Sequence, residues 1–481
     1  MKFVTLTILF AVTAMFLLSP APARAEDDLA VTMRAAMVKV YIESQGWPVS
    51  SPWQKGGPRS RTQRGVVVRP GLVLTPASGI ADHIMIEVSE ANSARRYPAS
   101  LVIVNYGADL ALVKVETPSL RLRLSPLELH DPITIDDEFE VWQLGGSDLV
   151  ERFTGHVQKV YTQSPRLMLN VKTTLADGGN GQPVVVDGKL AGLVTSIRAS
   201  RQEGQVISVE TIDHFLKDFD EGEFVGWPGS GLWTQNLLRD DLREFYLVPE
   251  DVHGVVVSRV IEGKTGSGGV LAGDVITHLS GFDIDDEGKY VDPVHGRLHM
   301  TNLLYCMPSA GDKLKAKILR KGKPLSVELP VPAWPLSEQR VPANYFDRRP
   351  PYILVAGLVV LELSRYSSTG ESQLRQHQMR VWWDPPTERK RIVYALKVLP
   401  DPANKGMDET SRVAILKING KTITKIADVP EALKTPLNGW HVIIFEGVEK
   451  PFVVKADELD EINARILERY RINELSYIPD E

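Results

Sequence analysis

The stretch Thr174 to Val194, TLADGGNGQPVVVDGKLAGLV, carries a glycine-rich turn closed by Pro183, then a β-rich run with a turn at Asp187-Gly188. Asn180 stands in the middle of that turn. An amide side chain has no ionisable proton and is a poor nucleophile, so the turn as written lacks a group to lead acyl transfer. Ten histidines could supply a base or a metal ligand. His83, five residues beyond Ser78, would have to swing back over several ångströms to act as a base and reads as a surface histidine. His130 and His156 have no evident link to the turn. Only His295 and His299 are four residues apart, and no carboxylate or cysteine cluster flanks them. A zinc-type site needs three or four such ligands, so no metal and no other cofactor is expected. Cys306 is the single cysteine, which excludes an intramolecular disulfide.

The elements that must position these residues are mostly strands. From Ala35 to about Phe219, short apolar or alternating runs such as RGVVVRPGLVLTP, IMIEVSE, RLMLNVKTT and GQVISVETI are separated by turn residues. That spacing predicts a β-barrel or sandwich. ETIDHFLKDF predicts a closing helix with Thr211 as its cap. From about 225 to 332 the pattern mixes strands with the helical DDLREFYLV, and a hairpin turns at Lys321-Gly322. A Pro-rich linker, 333–351, leads to a last block from 352 to 455, where YILVAGLVVLEL reads as one buried strand. That block faintly repeats the one before it: DVITHLSGFDI and VAILKINGKTI align without gaps, Gly281 on Gly420 and Ile284 on Ile423. Two related modules in tandem are therefore predicted. The tail, 456–481, begins with an amphipathic helix whose Leu459, Ile462, Ile466 and Leu467 share one side.

The chain has 481 residues, 43% hydrophobic and 24% charged, with a net charge of −6. This is ordinary globular composition, and it excludes a nucleic-acid binder held by a basic field. Residues 1–25 read as a secretory signal peptide. Lys2 forms the positive start, Phe3 to Leu18 the apolar run, and Ala23-Arg24-Ala25 the cleavage site before Glu26. No later run is long enough to span a bilayer as a helix. Export without disulfides suits a bacterial periplasm.

The order of a β-barrel region and two small modules with strand–glycine-turn patterns resembles the HtrA/Deg family. Its members are trypsin-like serine proteases with C-terminal PDZ domains, and the likeness is nearest to the two-PDZ Deg proteases of plants and bacterial relatives. The segments that carry the resemblance are SPWQ at 51–54, VLTPASGI at 73–80, ADLALVKV at 108–115 and the loop around Asn180. GVVVSRV, GDVITHLSG and RILERYRI follow in the matching order. The resemblance implies a mainly β fold: a trypsin-like double β-barrel over 26–222, a PDZ domain over 225–332, a PDZ-like module over 352–455 and a C-terminal helix.

Family chemistry needs a serine nucleophile, a histidine base and an aspartate that orients the imidazole. The resemblance assigns the aspartate to Asp109 and puts Ser78 at the histidine position and Asn180 at the serine position. One of three triad members remains, and loss of nucleophile or base costs such triads on the order of 10⁴ to 10⁶ in rate. Asp109 then has a structural role, as a hydrogen-bond partner facing Ser78 that ties the barrel together. The oxyanion-hole remnant would be the amides of Gly178 and Asn180. Gln182, where the family has glycine, is expected to disturb that turn. Ser230-Gly231-Leu232-Trp233 matches the PDZ loop that receives a peptide carboxylate on backbone amides. In the second module Ala356-Gly357-Leu358 holds the same place, and its apolar flanks favour packing against the barrel or another subunit. The resemblance thus implies a secreted pseudoprotease that binds unfolded or C-terminal peptides in envelope quality control. Family members assemble as trimers, so a homo-oligomer is compatible with it. The alternative is a serine endopeptidase with an altered site, and the identities of residues 78 and 180 decide between them.

Overall fold

The computed structural model describes residues 22–144, 150–175, 180–222, 227–229, 231–261, 268–333, 340–342, 344–364, 390–407 and 411–479. Of the expected leader, 1–25, residues 1–21 lie outside them, and the expected cleavage site falls in the first turn of helix α1 (Pro22–Ala36).

Helix α1, absent from the sequence expectation, leads into a closed barrel. Its strands are β1 (Met37–Ser44), β2 (Arg59–Arg69), β3 (Leu72–Thr75), β4 (His83–Glu90), β5 (Tyr97–Asn105) and β6 (Leu110–Val115). They pair in the order β1-β2-β3-β6-β5-β4, and β1 closes on β4 with Val40 opposite Val88. Val38, Val40 and Ile42 fill the interior while Lys39, Tyr41 and Glu43 face outward, the period of two that a half-buried strand requires. After the short helix α2 (Pro118–Arg121) a second barrel follows. It consists of β7 (Glu138–Leu144), β8 (Val150–Gln163), β9 (Arg166–Thr173), β10 (Pro183–Val186), β11 (Lys189–Arg198) and β12 (Glu203–Ser208). The order β10-β11-β12-β9-β8-β7 closes through Val184 opposite Val141. Met33, Leu74 and Leu112 meet Trp142, Leu193 and Ile207 in one core that joins the two barrels.

Helix α3 (Val209–Asp220) ends this part and packs Phe215 and Leu216 into the joint core. Its N-cap is Ser208, not Thr211. Thr211 lies inside the helix, buried, with its hydroxyl accepting from the Leu167 amide at 3.0 Å. Thr211 is the third residue of the helix, and its side chain is engaged by β9 instead of by the first-turn amides.

The next module has β13 (Leu232–Asn236), α4 (Asp240–Phe245), β14 (Val255–Val260), β15 (Val275–Leu279) and β16 (Phe282–Asp283). The ribbon β17 (Lys289–Asp292) and β18 (Gly296–His299), helix α5 (Thr301–Tyr305), β19 (Lys313–Arg320) and β20 (Lys323–Pro330) complete it. The sheet order β13-β14-β15-β19-β20 leaves β13 at an edge. The last module holds β21 (Tyr352–Val355), β22 (Leu358–Glu362), β23 (Val393–Val398), β24 (Val413–Ile418) and β25 (Lys421–Thr422). Helix α6 (Asp428–Leu433), β26 (Trp440–Phe445), β27 (Phe452–Lys455), α7 (Leu459–Tyr470) and β28 (Ser476–Tyr477) follow. YILVAGLVVLEL is therefore a hairpin, not one strand. Ala356 (φ 49°) and Gly357 (φ 89°) form the two-residue left-handed turn that reverses it.

The internal repeat has a structural counterpart. Ser280-Gly281 and Asn419-Gly420 both have positive φ. Past each turn the Ile284 amide donates to Thr277 O at 2.8 Å and the Ile423 amide to Leu416 O at 3.0 Å, at aligned positions. The linker docks the last module on the first barrel. The Asp82 amide donates to Asp347 Oδ1 at 2.7 Å, and the Asp347 amide donates back to Asp82 Oδ1 at 2.8 Å. Arg349 Nε donates to Pro52 O at 3.1 Å, and Trp53 packs against the module's core.

Candidate functional site

Ser78 lies in a single 3-10 turn, Ala77–Gly79, between β3 and β4, and it is exposed. The turn is held from β2: Gln63 Nε2 donates to Thr75 Oγ1 (2.8 Å) and Pro76 O (3.0 Å), and Thr75 Oγ1 donates to Arg64 O (2.7 Å). Asp109 immediately precedes β6 in the left-handed region, φ 57°, a conformation aspartate tolerates better than most residues. Its carbonyl accepts from the Ala77 amide at 3.1 Å, and its Oδ1 accepts from the Ser78 amide at 2.7 Å. The carboxylate therefore caps the backbone of the turn that carries Ser78. Arg166, opening β9 in the second barrel, brings Nη1 to 3.9 Å from Asp109 Oδ2, with both side chains under one-fifth exposed. Burial pushes the Asp109 carboxyl above the ordinary carboxylate range, while Ser78 and Arg166 pull it back.

Asn180 is exposed, and its carbonyl accepts from the Arg64 amide at 3.1 Å. Gly181 (φ 83°) donates its N–H to Val194 O at 2.8 Å. A Cβ on Gly181 would sit 2.0 Å from Arg64 O and 3.0 Å from Pro76 Cδ. The loop thus lies directly on the segment leading to Ser78, and positions 78, 109 and 180 gather at one junction of the two barrels. Gln182 does not disturb the turn as expected. Gly181 supplies the positive φ, and Gln182 has ordinary backbone, its carbonyl accepting from the Val194 amide at 2.9 Å. The residue is 2% exposed, and its Oε1 has no hydrogen-bond partner among the described residues. Gly178, the other expected oxyanion donor, lies outside the described residues.

Among the described residues the junction joins a carboxylate, two exposed polar side chains and main-chain amides, and no imidazole is bonded to them. His83 opens β4 opposite Ser44 on β1, and no hydrogen bond or ion pair joins it to Asp109 among the described residues. Gln63, Arg64 and Arg166 were not singled out from the sequence, and as lone polar residues in strand patterns they carry no local signal. A cavity of about 580 Å³ opens on the second barrel beside Glu138, His156 and Lys172, and none of residues 78, 109 and 180 lines it.

In the module that follows, Gly231 is buried and its carbonyl accepts from the Ile261 amide at 2.8 Å. Ser230 lies outside the described residues. Leu232 begins the edge strand β13, with its N–H 3.4 Å and its C=O 3.3 Å from the Tyr305 hydroxyl. Trp233 is half-buried and lies under the Arg259 guanidinium, 5.3 Å from its ring centroid. In the last module the Ala356 amide donates to Asn463 Oδ1 of α7 at 2.8 Å, and Asn404 Nδ2 donates to Ala356 O at 2.9 Å. Residues 356–358 therefore pack inside their own module rather than against the barrel. His295 immediately precedes β18 and His299 is its last residue. His295 Nε2 meets Glu210 Oε1 of α3 at 2.5 Å and His299 Nδ1 meets Thr301 Oγ1 at 3.0 Å. No group of three or more His, Cys, Asp or Glu among the described residues could hold a metal ion.

A family model described as a PDZ domain matches residues 341–476. The chain is 26% identical over 431 residues to Protease Do-like 2, chloroplastic, of Arabidopsis thaliana, covering 85% of this chain and 70% of that protein. It is 24% identical over 457 residues to Protease Do-like 4, mitochondrial, of the same plant, covering 92% and 85%. Among solved structures, an HtrA-type protease AlgW with decapeptide is 18% identical with a TM-score of 0.47, covering 64% of this chain and 98% of that one. Two closed six-stranded barrels followed by a PDZ domain define the class, a trypsin-like double barrel with an appended PDZ domain. In sequence and in this order of domains the chain is similar to the Do-like proteases of the HtrA/Deg family. No helix among the described residues is long and apolar enough to cross a membrane.

Proposed function

We propose that the chain is a secreted, periplasmic pseudoprotease of this family that binds peptides in envelope protein quality control. The observation that carries the reading is the pair Ser78 and Asn180 at the junction with Asp109, where among the described residues no imidazole is bonded to the carboxylate. A serine hydroxyl cannot act as a base near neutral pH, and an asparagine amide cannot form an acyl-enzyme. The signal-peptide pattern before Glu26 and the absence of a disulfide framework support export to a periplasm. Binding is assigned to the first PDZ module over 225–332. Its β13 edge can receive an extended peptide, whose carboxylate would meet amides at Ser230-Gly231-Leu232-Trp233. Affinity of about 1 µM, some −8 kcal/mol, is expected for peptides with an apolar C-terminal residue.

The test is turnover of casein by the mature chain together with fluorophosphonate labelling. No turnover and no label are expected. Label that disappears when a barrel serine is replaced would establish the alternative, an endopeptidase with an altered site.

A further inference from the structure

The first PDZ module carries a built-in occupant of its own peptide edge. Gly231 O points toward β14, where it accepts from Ile261. Backbone groups of a strand alternate in direction, so the N–H and C=O of Leu232 point the other way, toward α5. That outward pair is what an added antiparallel peptide residue would use, exchanging both of its own backbone hydrogen bonds. The Tyr305 hydroxyl already satisfies both, accepting from Leu232 N–H at 3.4 Å and donating to Leu232 C=O at 3.3 Å. Leu232 is 6% exposed and Tyr305 3%, so water does not compete for these groups.

The surroundings hold Tyr305 in this pose. Asn302 Nδ2 donates to the buried Tyr290 hydroxyl at 2.8 Å and fixes α5 against β17. The carbonyl of Cys306, the next residue, accepts from Trp227 Nε1 at 3.2 Å. Behind β13, the Gly229 amide donates to Pro332 O at 3.1 Å, which fixes the approach to the loop.

We infer that Tyr305 is a latch on the peptide groove: its hydroxyl stands in for a peptide residue, and binding requires its displacement. The inference rests on the proposed peptide-binding role of this module. The ligand class is an extended peptide ending in a free carboxylate, and the latch sets its affinity. Both latch bonds are near the long end for their kind, so each is weak and their combined loss should tighten binding only modestly.

Full-length mature protein and its Tyr305→Phe variant, which keeps the ring and its packing, separate the latch from the role. Hydrogen exchange without peptide reads the latch alone. The Leu232 amide should exchange about fivefold faster in the variant, while the Ile261 amide, bonded to Gly231, is unchanged. A C-terminal peptide library, free-acid and amidated, then reads the role. Free-acid peptides should bind the variant about fivefold more tightly than wild type. Unchanged exchange at Leu232 overturns the latch whatever the peptides do. Faster exchange with equal or weaker peptide affinity overturns it as a gate. Faster exchange with no free-acid peptide bound by either protein overturns both the gate and the peptide-binding role, while a tighter variant supports both.

Discussion

Replacing Asp109 with asparagine separates a carboxylate that serves a turn from one that serves an imidazole. The carboxyl is 16% exposed and accepts from the Ser78 amide at 2.7 Å and from the Ser78 side chain, bonds that an asparagine oxygen can also accept. Arg166 at 3.9 Å attracts it by about 4 kcal/mol at an effective dielectric near 20. Withdrawing such charges from water costs several kcal/mol per ion. The balance lies with burial, since the folded carboxyl is raised above its ordinary range. A raised carboxyl binds its proton more tightly in the folded chain. Its contribution to stability is complete below the ordinary carboxylate range and is lost as pH rises through the raised value. Each unit of raising is worth about 1.4 kcal/mol, or about 2–4 °C in Tm for a domain of this size. The expected result is therefore that Asp109→Asn gains on wild type as pH rises from about 4 to 8, measured by thermal unfolding in matched ionic strength. The opposite slope, with the variant falling behind as pH rises, would refute the reasoning. It would mean that the ionised carboxylate has a cationic partner stronger than Arg166, as a working imidazolium would be.

Two further substitutions test the junction. Ser78→His alone and Asn180→Ser alone should leave casein turnover at background, and the double variant should give low turnover, since Asp109 is placed to set an imidazole tautomer; substantial activity in either single variant would show the triad positions to be misassigned. Gly181→Ala should cost about 3 kcal/mol or more by thermal unfolding, because φ is 83° and the new Cβ would lie 2.0 Å from Arg64 O; a loss under about 1 kcal/mol would mean the loop does not rest on β2.

The turns were the most legible features of the chain. Asp187-Gly188 and Lys321-Gly322 each pair a left-handed residue with glycine between two strands, and both reverse hairpins in the structure. Ala356-Gly357 is chemically the same turn, yet it was hidden inside a run that is apolar on both sides. Polar flanks mark a turn in sequence only when the turn is exposed, and this one is covered by Asn404 and Asn463. Helix α1 was missed because its first residues read as the end of a leader. At the junction, Asp109 was legible from the short ADLALVKV motif. Arg166, 57 positions on, and Gln63, on a strand of the same barrel, were not. Their roles exist only through contacts that the fold creates. Tyr305 is the same case: it lies 73 positions from Leu232, and nothing beside it in sequence marks it as a latch.

Exposure suggests why the three positions of the junction could diverge so unequally on the proposed reading. Ser78 donates its amide to Asp109, whose carboxyl also accepts from the Ser78 side chain, and Asn180 accepts on its carbonyl from the Arg64 amide. Their side chains are exposed, and substitutions at such positions usually change stability by less than about 0.5 kcal/mol. Histidine and serine could therefore be exchanged there without a folding cost once catalysis ceased to be required. Asp109 differs. Removing its carboxylate altogether would leave the Ser78 amide without its acceptor and Arg166 without its nearest acid across the barrel junction. Arg166, with a side chain 18% exposed, would then keep its charge without that counter-ion, a loss that weighs on a marginally stable domain. The residue of a triad with the least contact with substrate is thus the one whose loss the fold would register.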